Sequence, residues 1–256
     1  MTTLDGVTSP RVLVLQPDPG DPVGPLAEWL TGAGADLDVR QQSDLPSDVE
    51  GYAGVVCLGG AMGATADLDH PWLADVRRLL GQAVSRQLPT LAICLGAQLL
   101  AVATGGRVVT GEDGPEAGGH LVAKRDLGWI DPLFAELPLM PDVLHFHSDI
   151  VATLPAGAVL LASANRYPNQ AFRVGRCAYG LQFHIETTPE TVLSWARDNP
   201  HVAGFARDGA LTMERLTELH ADLDETWRPV VHRFVALCTG ELEPAQLRRP
   251  QLPLAH

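Results

Sequence analysis

The segment Leu91-Ala92-Ile93-Cys94-Leu95-Gly96-Ala97-Gln98 sets a cysteine between an apolar run and a stretch of small and apolar residues. A strand that turns at once into a helix lifts the residue at the turn above the sheet edge, and here that residue is Cys94. Gly96 and Ala97 permit close approach of neighbouring backbone. The helix N-terminus behind the sulfur carries partial positive charge, which favours a thiolate. Cysteine is also a common core residue, and Cys57 and Cys177, which lie in apolar runs, read as inert core.

A second group lies far downstream in Gly180-Leu181-Gln182-Phe183-His184-Ile185-Glu186. His184 and Glu186, two apart at the end of an extended run, point to the same side. A carboxylate so placed can orient an imidazole, which can take a thiol proton and return it to a leaving amine. Alone this is a common surface pair; together with a cysteine elbow it reads as a Cys94–His184–Glu186 triad. A third group, Gly59-Gly60-Ala61-Met62-Gly63, follows the apolar run Gly54–Leu58. It reads either as a turn that needs positive φ or as a backbone donor beside the sulfur. In the second reading the N–H groups of Gly60 and Leu95 form an oxyanion hole.

These groups need a scaffold, and the chain of 256 residues is long enough for one large domain or a domain with an appendage. With 46% apolar and 19% charged residues it can bury a large core. Its net charge of −13 repels nucleic-acid phosphates and anionic membranes, so neither is an expected partner. The four cysteines are widely spaced, without the pairs of a zinc site. No apolar run reaches membrane-spanning length, and Met1–Arg11 has no leader-like apolar core, so a cytoplasmic protein is expected.

Strands are expected at Arg11–Gln16, Leu37–Gln41, Gly54–Leu58 and Pro89–Ile93, with helices at Pro25–Ala33, Pro71–Arg86 and Leu95–Thr104. That alternation implies a parallel sheet covered on both faces. Short strands follow at Leu121–Lys124, Val143–His147, Val159–Ala162, Gln170–Val174 and Cys177–His184. Thr188-Pro189-Glu190 starts another helix, with a threonine cap and proline in the first turn. Leu216, Leu219, Leu223, Trp227, Val230, Phe234 and Leu237 recur every three or four residues, which predicts a long helix, kinked at Pro229. Its stripe packs on the domain or meets a partner or second copy, and Glu241–His256 reads as a Pro-rich, loosely held end. His145 and His147 share one face of a strand. No third ligand has fitting spacing, so no metal site is expected; no phosphate loop or dinucleotide fingerprint points to another cofactor.

Taken together, Cys94-Leu95-Gly96-Ala97-Gln98, His184-x-Glu186 and Gly59-Gly60 resemble the class I glutamine amidotransferases, especially stand-alone proteins similar to the glutaminase domain of GMP synthase. Pro71-Trp72-Leu73, Glu116-x-Gly118, Asp131-Pro132-Leu133-Phe134, His147-Ser148-Asp149, Leu154-Pro155-x-Gly157-Ala158 and Pro168-Asn169-Gln170-Ala171-Phe172 follow in family order. The resemblance implies an α/β, flavodoxin-like class I glutaminase fold with a mostly parallel central sheet. It implies an amidotransferase domain over 1–200 and a helical C-terminal extension over 201–256. Cys94 would attack the γ-carboxamide of glutamine, forming a thioester and releasing ammonia to a separate acceptor or synthase partner. The alternative is a self-sufficient hydrolase of another γ-glutamyl amide; a catalytically idle binding module is a third reading, against which the intact triad residues argue. Gln98, Ser148, Asp149 and Gly59 would contact the substrate. The sequence departs from the family pattern at Gly119-His120, where a tryptophan is expected after Gly118.

Overall fold

The computed structural model describes residues 9–246. The expectations resting on 1–8 and on 247–256, the leaderless start and most of the Pro-rich end, lie outside the described residues. In chain order the strands are β1 (Arg11–Gln16), β2 (Asp36–Gln41), β3 (Gly54–Cys57), β4 (Thr90–Ile93), β5 (Arg107–Thr110), β6 (Glu116–Leu121), β7 (Ala123–Lys124), β8 (Asp142–His147), β9 (Asp149–Thr153), β10 (Val159–Ser163), β11 (Ala171–Val174) and β12 (Ala178–Leu181). The helices are α1 (Pro25–Gly32), α2 (Leu73–Ser85), α3 (Leu95–Ala103), α4 (Pro189–Asp198), the short α5 (Pro200–Ala203) and α6 (Met213–Thr239).

Eight strands form one sheet in the order β2-β1-β3-β4-β12-β11-β10-β7. The first five run parallel and the last three are added antiparallel. The inner parallel strands β1, β3, β4 and β12 are buried and read as apolar runs, whereas β2 at the edge is partly exposed and of mixed polarity. Along β1, Val12 and Val14 face the α1 and α6 side, while Leu13 and Leu15 face the α2 and α3 side. Two-stranded antiparallel pairs, β5 with β9 and β6 with β8, stand beside the main sheet. The sequence pattern did not show β5, β6 or β9, because Arg107–Thr110 and Asp149–Thr153 carry mixed polarity and Glu116–Leu121 contains two glycines, which weaken a strand signal.

Helix α2 begins two residues later than expected, because Pro71 and Trp72 form the turn that precedes it. Helix α4 begins as the sequence specifies, with Thr188 Oγ1 accepting from Thr191 N–H at 3.2 Å. Helix α6 runs 27 residues through Pro229 and ends on Gly240 in the left-handed conformation. Its stripe is buried at Leu216, Leu223, Trp227, Val230, Phe234 and Leu237, and half-buried at Leu219. Trp227 donates to the Asp142 carbonyl at 2.9 Å and packs on Phe134 and Phe183, which ties α6 to β8 and to the chain beyond β12. The missing tryptophan after Gly118 has a physical reason in this helix. A Cβ on Gly119 would lie 3.1 Å from Leu219 Cδ2, so α6 fills the space a larger side chain would need.

Candidate active site

The parallel strands bring four loops to one edge. Their C-terminal ends lead into Pro17–Asp21, Gly59–Gly63, Cys94 and Gln182–Glu186, and open α/β sheets form binding crevices at that edge. A cavity of about 500 Å³ opens there, with Gly60, Cys94, Gln98, Ser148, Asp149 and His184 in its wall.

Cys94 is the turn between β4 and α3. It has φ 49° and ψ −109°, a left-handed conformation costly for a residue with a side chain, retained where surrounding structure enforces it. The enforcement is visible: Cys94 N–H donates to the Leu181 carbonyl at 2.7 Å, and Cys94 O accepts from Gln98 N–H at 3.0 Å. Gly96 presses on the Cys57 carbonyl so closely that an added Cβ would collide with it. The N–H of Leu95 opens α3, where it has no intrahelical acceptor.

His184 lies beyond the end of β12, in a two-way backbone bridge with Leu144. Its Nδ1 meets Glu186 Oε1 at 2.6 Å, and Ile185 N–H donates to Glu186 Oε2 at 2.8 Å. The other ring nitrogen is left for Cys94, with which it shares a hydrogen bond. Burial alone would lower the His184 pKa. The charge of Glu186, then the charge and hydrogen bond of Cys94, outweigh burial and hold the imidazole well above its ordinary value. A charged imidazole beside a cysteine is the arrangement that activates a thiol nucleophile.

The glycines after β3 serve space rather than a special turn. Neither Gly59 nor Gly60 has positive φ. A Cβ on Gly59 would strike the Asp21 carboxylate and lie 3.2 Å from His184 Cε1. Gly59 sits behind the wall, between these two side chains, rather than on the cavity surface expected of a substrate contact. Gly60 does reach the cavity, and the loop is pinned there by Ala61 N–H donating to Asp18 Oδ2 at 3.1 Å.

Gln98, Ser148 and Asp149 form another part of the cavity wall. Gln98 Nε2 donates to the Asp149 carbonyl at 2.9 Å, and Asp149 Oδ1 accepts from Thr110 Oγ1 at 2.8 Å. Gln98 thus holds the Ser148–Asp149 segment against α3 while remaining in the cavity wall.

Sequence reasoning missed two groups. Asp21 is buried, and its Oδ1 has no hydrogen-bond partner. Burial first, and then the charge of Glu186, push its pKa up to about 8 against the opposing pull of His184. The signal was the turn Pro17-Asp18-Pro19-Gly20-Asp21 at the C-terminal end of the first strand, where a parallel sheet places its site. Glu116 is the other. It joins His145 and His147, with Oε2 3.3 Å from His147 Nε2 and 3.9 Å from His145 Nδ1, and accepts from Gln170 Nε2 at 2.9 Å. The third group for the histidine pair, not evident in sequence spacing, comes from the neighbouring strand β6, whose Glu116 pairs with His147 in register.

Cys94, on a strained strand-to-helix turn, and the His184–Glu186 pair meet at the C-terminal edge of the parallel sheet, where α/β folds place their sites. The chain belongs to the class I glutamine amidotransferases: the family model "Glutamine amidotransferase class-I" matches residues 26–195. The solved structure of a glutamine amidotransferase from Thermotoga maritima is 29% identical, with TM-score 0.79 over 90% of this chain and 99% of that one. A GMP synthase [glutamine-hydrolyzing] from Christiangramia forsetii is 29% identical over 201 residues, 78% of this chain and 34% of the synthase. The chain therefore spans about a third of the synthase's length. Gamma-glutamyl peptidase 4 of Arabidopsis thaliana is 27% identical over 174 residues, 66% of this chain and 68% of the peptidase. Among the described residues, no helix is long and apolar enough to cross a membrane.

Proposed function

We propose that the chain cleaves a γ-glutamyl amide by covalent catalysis at Cys94, with glutamine as the substrate and ammonia passing to a separate acceptor or synthase. The observation that carries the reading is the Cys94–His184–Glu186 constellation opening into the cavity. Cys94 Sγ attacks the γ-carbonyl carbon, and the developing oxyanion is met by the N–H groups of Leu95 and Gly60. His184 holds the thiol proton and gives it to the leaving nitrogen as the C–N bond breaks and the thioester remains. Water then adds to the thioester, its proton passes to His184, and collapse releases glutamate and returns the proton to sulfur. Glu186 holds the ring in place throughout.

A second reading, a self-sufficient hydrolase of a larger γ-glutamyl amide, is favoured by cavity size. About 500 Å³ falls within the ~300–1,000 Å³ range of sites for ligands larger than an amino acid. The similarity to a γ-glutamyl peptidase over two thirds of both chains points the same way. Measuring kcat/KM on purified protein for glutamine and for a panel of γ-glutamyl amides tests both. Slow glutamine turnover stimulated by a synthase supports the first, and fast cleavage of a conjugate supports the second. No thioester trapped at Cys94 with any of these substrates defeats both.

A further inference from the structure

The cavity wall has a polarity that the triad does not use. It carries Asp18, Asp21, Asp149 and Asp198, and among the described residues no lysine or arginine. Asp149 stands with Gln98. Asp21 stands beside His184, Asp18 acts on Asp21, and Asp198 lies on α4 three residues beyond Trp195; this is the side on which a leaving nitrogen departs, since His184 delivers its proton. Trp195 completes that side, with its ring 4.8 Å from His184 and its indole N–H donating to the Gly20 carbonyl at 2.9 Å.

We propose that this side binds a cationic leaving group, so that the substrate is a γ-glutamyl amide of an amine bearing a second, positively charged nitrogen. The inference rests on the second reading above, that of a γ-glutamyl amide hydrolase. Two independent features support it. The carboxylates of Asp18 and Asp198 share the wall with the Trp195 face, a cation–π surface, and neighbouring negative charges concentrate a cation. Asp21, only 3% exposed, contributes a carboxyl oxygen with no partner, a buried acceptor that a donor from the ligand would satisfy. Asp18 is different in kind: its oxygens already accept from Gly20 N–H at 2.8 Å and Ala61 N–H at 3.1 Å, so it supplies charge and holds the oxyanion loop.

Asp21 gives the inference a second readout. Glu186, His184 and Asp18 are the charged groups that act on it, and with its pKa near 8 it carries a proton at neutral pH. A cation beside it favours the charged form, so binding releases that proton. A neutral leaving group has no such effect.

The test compares four substrates on the purified protein: glutamine, the γ-glutamyl monoamide of a straight-chain diamine, the γ-glutamyl alkylamide of equal length, and γ-glutamylglutamate. The expected order of kcat/KM is diamine amide first, by roughly tenfold or more over the alkylamide, and γ-glutamylglutamate last. The preference shrinks as salt rises. In Asp198→Asn and Asp21→Asn the diamine-to-alkyl ratio falls several-fold. In Cys94→Ala, titration of the diamine amide in buffers of different ionisation heat shows proton release. Equal kcat/KM for the diamine amide and the alkylamide overturns the inference and leaves the γ-glutamyl hydrolase reading standing. Turnover of glutamine alone overturns it together with that second reading. Cleavage of none of the four overturns the thioester chemistry as well.

Discussion

Among the described residues two buried histidine–carboxylate clusters stand apart, one around His184 and Glu186, the other around His145, His147 and Glu116, and His184 and His145 are driven in opposite directions. His184 is held well above its ordinary pKa, whereas His145 is held well below. Burial opposes charge at both. At His184 two partners, Glu186 and then Cys94, raise one ring and prevail over burial. At His145 burial leads and the charge of His147 adds to it, while the single Glu116 is shared between two rings. Equal residue types therefore do different work: how many partners act on each ring decides the direction in which it is driven. In the second cluster the carboxylate gains instead. Burial would raise Glu116, but the hydrogen bond of His147, the charges of His145 and His147, and Gln170 bring it down to about 2.

The largest effect comes from removing the cysteine unique to the first cluster. Cys94→Ala is expected to lower turnover by about 10⁴-fold or more with the fold intact, since the elbow is held by backbone contacts. The same change removes one of the two groups that raise His184, so the ring's pKa, read by NMR, drops. His184→Ala is expected to be nearly as damaging, and Glu186→Gln less so by roughly ten- to a hundredfold, because orientation is degraded while the base survives. Losses in the Cys94→Ala/His184→Ala double variant that add in full would break the claim that the two act in one step.

The second cluster is tested by stability. Glu116→Gln leaves two buried rings without their carboxylate, and a buried polar group left unsatisfied costs about 1–3 kcal/mol. Its pH signature has a definite sign. A carboxyl depressed from 4.5 to about 2 stabilises the fold above the unfolded value, and that contribution is lost as pH falls from about 5 to about 2. Wild-type Tm should fall through this window, and the fall should be shallower in Glu116→Gln. Identical acid profiles would mean that Glu116 is not the group holding this cluster.

Asp21 has the opposite sign within the first cluster. Its pKa in the fold, about 8, lies above its ordinary 3.8, so between these values the folded chain keeps a proton that the unfolded chain has lost. Stability contributed by Asp21 therefore decreases as pH rises from about 4 to about 8, by up to roughly 1.4 kcal/mol per pH unit. Asp21→Asn, close in size and without a charge, removes this slope. Its Tm should be less pH-dependent than wild type over pH 5–8, with the variant gaining most at the alkaline end. Parallel curves would place the Asp21 proton elsewhere.

The contrast between the clusters also marks what the sequence could convey. Cys94, His184 and Glu186 were legible because each sits in a short segment whose local geometry is dictated nearby: a strand-to-helix turn, and an i, i+2 pair. The inner parallel strands β1, β3 and β4 were legible because buried strands read as apolar runs. Glu116 was quoted as part of a family motif, yet its partners His145 and His147 reach it only through antiparallel pairing of β6 with β8, and nothing local announces that register. Asp131 shows the reverse. Its motif Asp131-Pro132-Leu133-Phe134 is structural, with Oδ2 accepting from the buried Arg173 at 2.8 Å and Oδ1 accepting from Leu133 N–H at 3.0 Å. Gly59 and Gly60 were read for backbone freedom. Their need is space against Asp21, His184, Met62 and Leu95, which depends on three other segments of chain.

The smallest effects concern the three remaining thiols, which sharpen the identity of the reactive one. Cys57 lies in β3 beneath the site, and burial, then the charge of Asp21, raise its pKa far above the thiol range. Burial raises Cys177, and raises Cys238 to about 12 with help from Cys177. None of the three has an anion–imidazolium partner, and a thiol without one reacts slowly at neutral pH. Cys94 alone among the four lies in the cavity wall and shares a hydrogen bond with a histidine held charged. Iodoacetamide at pH 7 should therefore add one fast equivalent, at Cys94, slowed by a bound γ-glutamyl ligand. Cys57→Ala, Cys177→Ala and Cys238→Ala should each keep kcat within about twofold, at a stability cost of about 1 kcal/mol for the lost sulfur packing. Mass mapping of the labelled peptide decides the matter. Fast labelling at Cys57 would mean that Gly96 and the elbow above it open far enough to expose β3, and Cys94 would lose the backbone enforcement on which its reactivity depends.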